Sequence, residues 1–155
     1  MPHTLRSALT LVAFVAVVLG VGIYIGVTNP PGDWYANLRK PVFNPPNWVF
    51  APAWTVLYIL IAIAGWRVFE RDRNGPALKL WVAQMALNWA WSPAWFGLHW
   101  RWGSVAIIAV LWLTILGFIA LNRRDDRISA LLFAPYLAWV SFAAILNVSL
   151  VAMNP

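Results

Sequence analysis

The sequence predicts an all-α membrane protein, a single domain built as a five-transmembrane-helix bundle. Three observations carry that expectation. Of 155 residues, 62% are hydrophobic and only 10% are charged, whereas a water-facing globular domain carries about 25% charged residues. Five apolar runs of about twenty residues follow one another, each long enough at about 1.5 Å per residue to cross a bilayer of roughly 30 Å. None of them alternates polar and apolar positions, as the roughly ten-residue strands of a membrane barrel would.

The first run, 8–27, follows Arg6 and leaves through Thr28, Asn29 and Pro30. A signal peptide would have a shorter apolar core and a small-residue cleavage site, so an uncleaved helix is expected. The second run, 51–69, starts behind Pro52, where the missing N–H has no intrahelical partner to lose. It ends at Glu70-Arg71-Asp72-Arg73. The third, 77–98, opens after Gly75-Pro76; the fourth, 102–121, closes at Asn122-Arg123-Arg124-Asp125-Asp126; the fifth is 128–151.

An odd number of spans puts the ends of the chain on opposite sides. The side of the first residues collects Arg6, Arg67, Arg71, Arg73, Lys79, Arg123, Arg124 and Arg127, eight basic residues. The other side has Arg39, Lys40 and Arg101. The excess of Lys and Arg in cytoplasmic loops then predicts a cytoplasmic N-terminus. The formal charge of +6 is explained by those loops, and no basic patch with spaced aromatics suggests nucleic acid. With no cysteine, thiol chemistry and thiolate metal sites are excluded, and no metal site or cofactor is expected.

Between the first two helices lies an aromatic, proline-rich outer loop, 28–50. Six of the eleven prolines fall between Pro30 and Pro52, mixed with Trp34, Tyr35, Phe43, Trp48 and Phe50. Proline restricts the backbone, so such a loop can be ordered without regular hydrogen bonding. It reads equally as an interfacial aromatic belt or as a lid over a cavity between helices.

No acidic or basic residue lies deep in a span, which argues against ion-coupled transport. Polar and aromatic positions form stripes instead. On the third helix Gln84, Asn88 and Ser92 recur every four residues, with Trp91 and Trp95 beside them. Ala86, Ala90 and Ala94 recur at the same spacing about 200° away, where small residues permit close helix approach, within the chain or across a homodimer seam. Tyr136, Trp139, Ala143 and Asn147 make a stripe on the fifth helix, and Phe50, Trp54, Tyr58, Ile61 and Gly65 one on the second. These stripes fit either packed core or a cavity for a flat, apolar, weakly polar ligand.

Motifs decide further. The stretch Trp34-Tyr35-x-x-Leu38-x-Lys40-Pro41-x-Phe43-x-Pro45-Pro46-x-Trp48-x-Phe50-x-Pro52-x-Trp54-x-x-Leu57-Tyr58 resembles the signature of the translocator protein family, also called tryptophan-rich sensory protein or peripheral-type benzodiazepine receptor. Gln84-x-x-x-Asn88-x-x-Trp91-Ser92-Pro93 and Pro135-Tyr136-Leu137-x-Trp139-x-x-x-Ala143-x-x-Leu146-Asn147 continue the resemblance. The resemblance implies a membrane sensory or regulatory protein that binds porphyrins such as protoporphyrin IX within the bundle, with surrounding lipid and a homodimer partner. Alternatives are a light- and oxygen-dependent porphyrin-degrading enzyme and a porphyrin transporter. It implies that Trp54 and Trp139 are the indoles of any such degradation, that Trp34, Asn88 and Trp91 line the pocket, and that Ala143 is a small residue tuning affinity. A bacterial cell membrane is the expected location. The end of the fifth helix, Leu146 to Pro155, lacks the tyrosine and downstream basic residue of the sterol pattern in animal relatives, so sterol import is not expected.

Overall fold

The computed structural model describes residues 3–155, and among them all regular structure is helical. Six α-helices follow in order: α1 (His3–Thr28), α2 (Asp33–Ala36), α3 (Phe50–Arg71), α4 (Pro76–Ser92), α5 (Arg101–Asp125) and α6 (Arg127–Met153). A 3₁₀ turn, Asn47–Val49, leads into α3, and a π turn, Pro93–Gly97, follows α4.

Four helical segments are each long and apolar enough to cross a membrane: α1, α3 with its 3₁₀ turn, α5 and α6. The expected third span, 77–98, departs from this pattern. Its α-helix stops after 17 residues at Ser92, because Pro93 brings no N–H and its ring crowds the carbonyl four residues back. The chain continues in the wider π turn, where Leu98 N–H donates to Pro93 O at 2.9 Å. Elsewhere the helices outrun their apolar stretches. α3 and α5 continue through Arg71 and Asp125, since charged residues with long stems are good helix formers once outside hydrocarbon.

Each helix boundary has a local cause. Gly75 and Pro76 start α4, the proline occupying the first turn. Asp126 ends α5 and caps α6, accepting from Ser129 N–H at 3.3 Å and from the Ser129 hydroxyl.

The core lies where α3, α4, α5 and α6 meet, around Ile61, Trp81, Met85, Ile115, Phe118, Phe133 and Tyr136. Phe118 and Phe133 stack there with centroids 4.0 Å apart. α1 stands outside this group. It packs chiefly on α3, and Val18 is its one buried residue. Many of its other apolar side chains, Val12, Ile23 and Val27 among them, are exposed, as lipid-facing positions would be, while Phe14 and Val15 are half-buried against the core. Where α1 does touch α3 the approach is close. A Cβ on Gly22 would sit 2.6 Å from Cε2 of the Tyr58 ring, so glycine is what lets the two helices meet there.

The chain turns at two contrasting ends. One carries Arg6, the 72–75 turn and Asp126; the other carries the 29–46 loop, His99 and Asn154.

Candidate functional site

The middle of the bundle is crossed by a hydrogen-bonded chain of neutral side chains. Gln84 and Asn88 stand one turn apart on α4 and face Tyr136 on α6, while Tyr58 reaches them from α3. The Tyr58 hydroxyl donates to Asn88 Oδ1 at 3.0 Å, and Asn88 Nδ2 donates to the Tyr136 oxygen at 2.7 Å. The Tyr136 hydroxyl donates onward to Gln84 Oε1 at 2.8 Å. Gln84 and Tyr136 are fully buried, and in a dry interior such a chain holds only if each member has a partner. Three helices are thereby fixed in rotation relative to one another.

A second chain lies nearer the loop end, about one turn further along α4 and about three along α6. Trp91 Nε1 donates to Asn147 Oδ1 at 3.1 Å, and Asn147 Nδ2 donates to Ser104 Oγ at 3.2 Å. The Ser104 hydroxyl donates to the carbonyl of Arg101 at 2.7 Å. It joins α4, α6 and α5, with both amide functions of Asn147 engaged.

Between these chains and the loop opens a cleft of about 460 Å³, within the range of about 300–1,000 Å³ common for small-molecule sites. α1, α3, α4, α5 and α6 all contribute to its wall. Trp54, Tyr58, Trp91, Trp95, Trp139 and Phe96 supply aromatic faces; Asn29, Asn47, Asn88 and Asn147 supply amides. None of the described residues lining it carries a formal charge. Trp54 and Trp139 meet edge to face, centroids 6.4 Å apart at 89°, with Phe50 edge-on to Trp139 at 5.9 Å. Trp139 Nε1 is buried without a hydrogen-bond partner. An unpaired indole N–H away from water is costly; the Nε1 atoms of Trp66 and Trp89 are buried without a partner in the same way.

The loop covers this end through aromatic stacks and hydrogen bonds, without an ion pair among the described residues. Trp34 stacks on His99, centroids 4.1 Å apart at 11°, and meets Trp95 edge-on at 5.0 Å. His99 holds a left-handed backbone, φ 52°, which turns the chain between the π turn and α5. Lys40 Nζ donates to the carbonyls of Tyr35, Ala36 and Leu38 and lies 4.8 Å from the Tyr35 ring centre. Burial raises the Tyr35 phenol above its ordinary pKa, only partly offset by its hydrogen bond with Asn44, so the ring stays neutral. Asn154 closes the arrangement from the chain's other end. Its Oδ1 accepts from Arg39 N–H at 2.8 Å and its Nδ2 donates to Arg39 O at 2.9 Å, a two-bond clasp like a rung of a β-ladder. Arg101 Nη1 donates to Asn154 O at 2.8 Å.

Of the residues singled out from the sequence, Trp54, Tyr58, Asn88, Trp91, Trp95, Trp139, Ala143 and Asn147 line the cleft. Gln84 and Tyr136 lie behind the wall, buried in the hydrogen-bonded chain, and Trp34 backs Trp95 and His99 from the loop. The alanine stripe is split. Ala86 and Ala90 are exposed, whereas Ala94, within the π turn, is buried inside the chain. Sequence reasoning missed the contributions of α1 and α5. Gly22, Gly26 and Asn29 line the cleft from α1 and its exit, Ile108 and Leu111 from α5. The four-residue spacing of Gly22 and Gly26 was the available signal; nothing in the α5 sequence distinguishes its cleft-facing residues from lipid-facing ones.

Residues 13–153 match the model of the TspO/MBR family. The chain is 38% identical over 152 residues to Protein CrtK of Rhodobacter capsulatus, covering 96% of this chain and 95% of that protein. It is 38% identical over 129 residues to the Tryptophan-rich sensory protein of Cereibacter sphaeroides, covering 83% and 82% respectively. It is 32% identical over 136 residues to the human Translocator protein, covering 82% of this chain and 80% of that one.

Proposed function

This chain belongs to the TspO/MBR family of membrane proteins, and from that premise we propose that it is a sensory protein that holds a tetrapyrrole such as protoporphyrin IX in the cleft. α4 and its π turn together act as a fifth crossing, and the membrane is that of a bacterial cell with the N-terminus in the cytoplasm. The observation that carries the reading is the uncharged, aromatic cleft with Trp54 and Trp139 on one wall. A planar macrocycle gains stacking from indoles, and fixed amides orient its polar edge. Arg39, Lys40 and Arg101 all belong to the loop end. A porphyrin entering with its apolar edge towards Tyr136 would leave its carboxylates at that end, near these cations and water. Signalling then follows from occupancy, since a bound ring would press on the loop that Asn154 and His99 hold down.

The test is a titration of the purified full chain with protoporphyrin IX, followed by the shift of the porphyrin absorption band. Saturable binding is expected, weakened roughly fivefold in Trp139→Ala or Trp54→Ala, the equivalent of about 1 kcal/mol for one lost stacking partner. Equal affinity in both variants and the parent would remove the assignment.

A second reading, photo-oxidative breakdown of the porphyrin with dioxygen as oxidant, is favoured by the proximity of two oxidisable indoles and the unpaired Trp139 N–H. Product spectra under light and oxygen decide it. A Trp54→Phe/Trp139→Phe variant that bleaches porphyrin as fast as the parent would exclude a role for the protein in turnover.

A further inference from the structure

A second concavity lies at the opposite end, on the outer side of α1. Arg6, Leu9, Thr10 and Ala13 recur at spacings of three and four residues and so share one face of α1. With Phe14, and with Phe69 and Arg73 from the end of α3, they bound a shallow groove of about 450 Å³. Its floor is aromatic: the Phe14 ring lies 5.6 Å from Phe69 and 5.2 Å from Trp81. Its mouth is basic. Arg73 sits over the Phe69 ring at 4.7 Å, and Arg6 faces it across the groove.

The charges at this end fall into two groups. Arg67 and Arg71 both pair with Asp126, at 2.9 and 3.8 Å. Arg6 and Arg73 take part in neither of the ion pairs found among the described residues, and both are exposed. Two uncompensated guanidiniums thus stand at the water side of an apolar channel. From Arg6 to Ala13 the channel descends about 10 Å along α1, the depth from a headgroup into the first methylenes of an acyl chain.

We propose that this groove is a specific seat for one anionic phospholipid, with the phosphate between Arg6 and Arg73 and an acyl chain along Leu9, Ala13 and Phe14. Guanidinium groups present paired N–H donors that match phosphate oxygens. The absence of a paired carboxylate in the groove selects a net negative headgroup over a zwitterionic one, whose ammonium these arginines repel. The apolar length of the groove selects a lipid over free phosphate. The site is separate from the cleft, so it stands or falls independently of the porphyrin reading.

Native mass spectrometry of the full chain, released from a neutral detergent with phosphatidylglycerol or phosphatidylcholine added, tests it. One retained phosphatidylglycerol per chain is expected, with phosphatidylcholine not retained. The variant R6Q/R73Q should weaken retention about twenty-fivefold, the product of roughly fivefold for each basic residue at an anionic surface. R123Q/R124Q, which removes the same charge from the same end, should retain it. Ala13→Phe fills the groove without changing charge and should also lose the lipid. Equal loss in the two arginine double variants, equal retention of phosphatidylcholine, or displacement by millimolar inorganic phosphate or glycerol phosphate would each overturn the proposal. So would a second copy of the chain occupying the face, seen as a dimer that R6Q/R73Q dissolves.

Discussion

The two ends of the bundle are held by different physics. At one, Asp126 is buried with 7% of its side chain exposed, and it gathers Arg67, Arg71, Ser129 and the first turn of α6. At the other, no ion pair is found among the described residues, and the contacts are aromatic stacks and hydrogen bonds to carbonyls and amides: the Trp34–His99 stack, the Asn154–Arg39 clasp, and Lys40 turned in on backbone carbonyls. A carboxylate buried and hydrogen-bonded as Asp126 is costly to lose, although Arg67 and Arg71 keep 31% and 34% of their side chains exposed. Stacks and amide clasps open for little. By this contrast the end away from the cleft should be the more firmly held, and the proposed ligand would act on the other.

Removing the anchor carboxylate tests that contrast most severely. Asp126→Ala leaves Arg67, already short of a partner at Nε, without its ion pair, and the α6 cap is lost with it. A fall in stability on the order of 2 kcal/mol is expected, read as thermal denaturation in detergent, with porphyrin affinity unchanged. Its pH dependence has a definite sign. Burial pushes the Asp126 carboxyl up, but hydrogen bonds from Arg67 and Ser129 and the Arg67 charge outweigh it and hold the pKa below the ordinary 3.8. The stabilisation is thus present above pH 3.8 and drains away as pH falls through the depressed native value. Asp126→Asn should flatten stability across that acid range, and a parent-like acid slope in the variant would refute the anchor role.

Next in size is the middle of the bundle. Tyr136→Phe removes the hydroxyl that accepts from Asn88 and donates to Gln84. Two buried amides lose a partner, for a cost of about 1–2 kcal/mol. Circular dichroism melts measure it, and a parent-like midpoint would show that water replaces the phenol.

The smallest effect belongs to the loop clasp. Asn154→Ala cuts both bonds to Arg39 and one to Leu150, and local opening should become easier by about 1 kcal/mol. Hydrogen exchange at residues 37–44 should speed up roughly fivefold while the turn around Asp126 exchanges as before. Faster exchange at both ends would mean the ends are coupled and the contrast fails.

The motifs of α3, α4 and α6 could be read in the sequence because helical spacing is regular. Tyr58, Asn88 and Asn147 had to share faces with Trp54, Trp91 and Trp139, and they do line one cleft. Other features depend on contacts between distant segments, which no spacing encodes. Asn154 meets Arg39 across 115 residues, and Tyr136 leaves the cleft wall because Asn88 and Gln84 draw its hydroxyl inward. Ala94 is buried among residues of the π turn while Ala86 and Ala90, on α4, are exposed, a difference their common spacing does not encode. The sequence by itself determined the solvent and the secondary structure, through apolar run length and scarcity of charge. It also determined which side chains travel together on a helix. Only the tertiary structure decided how the helices are rotated and where they stop short of one another, because those depend on the sum of many packing contacts. The cleft exists in those gaps.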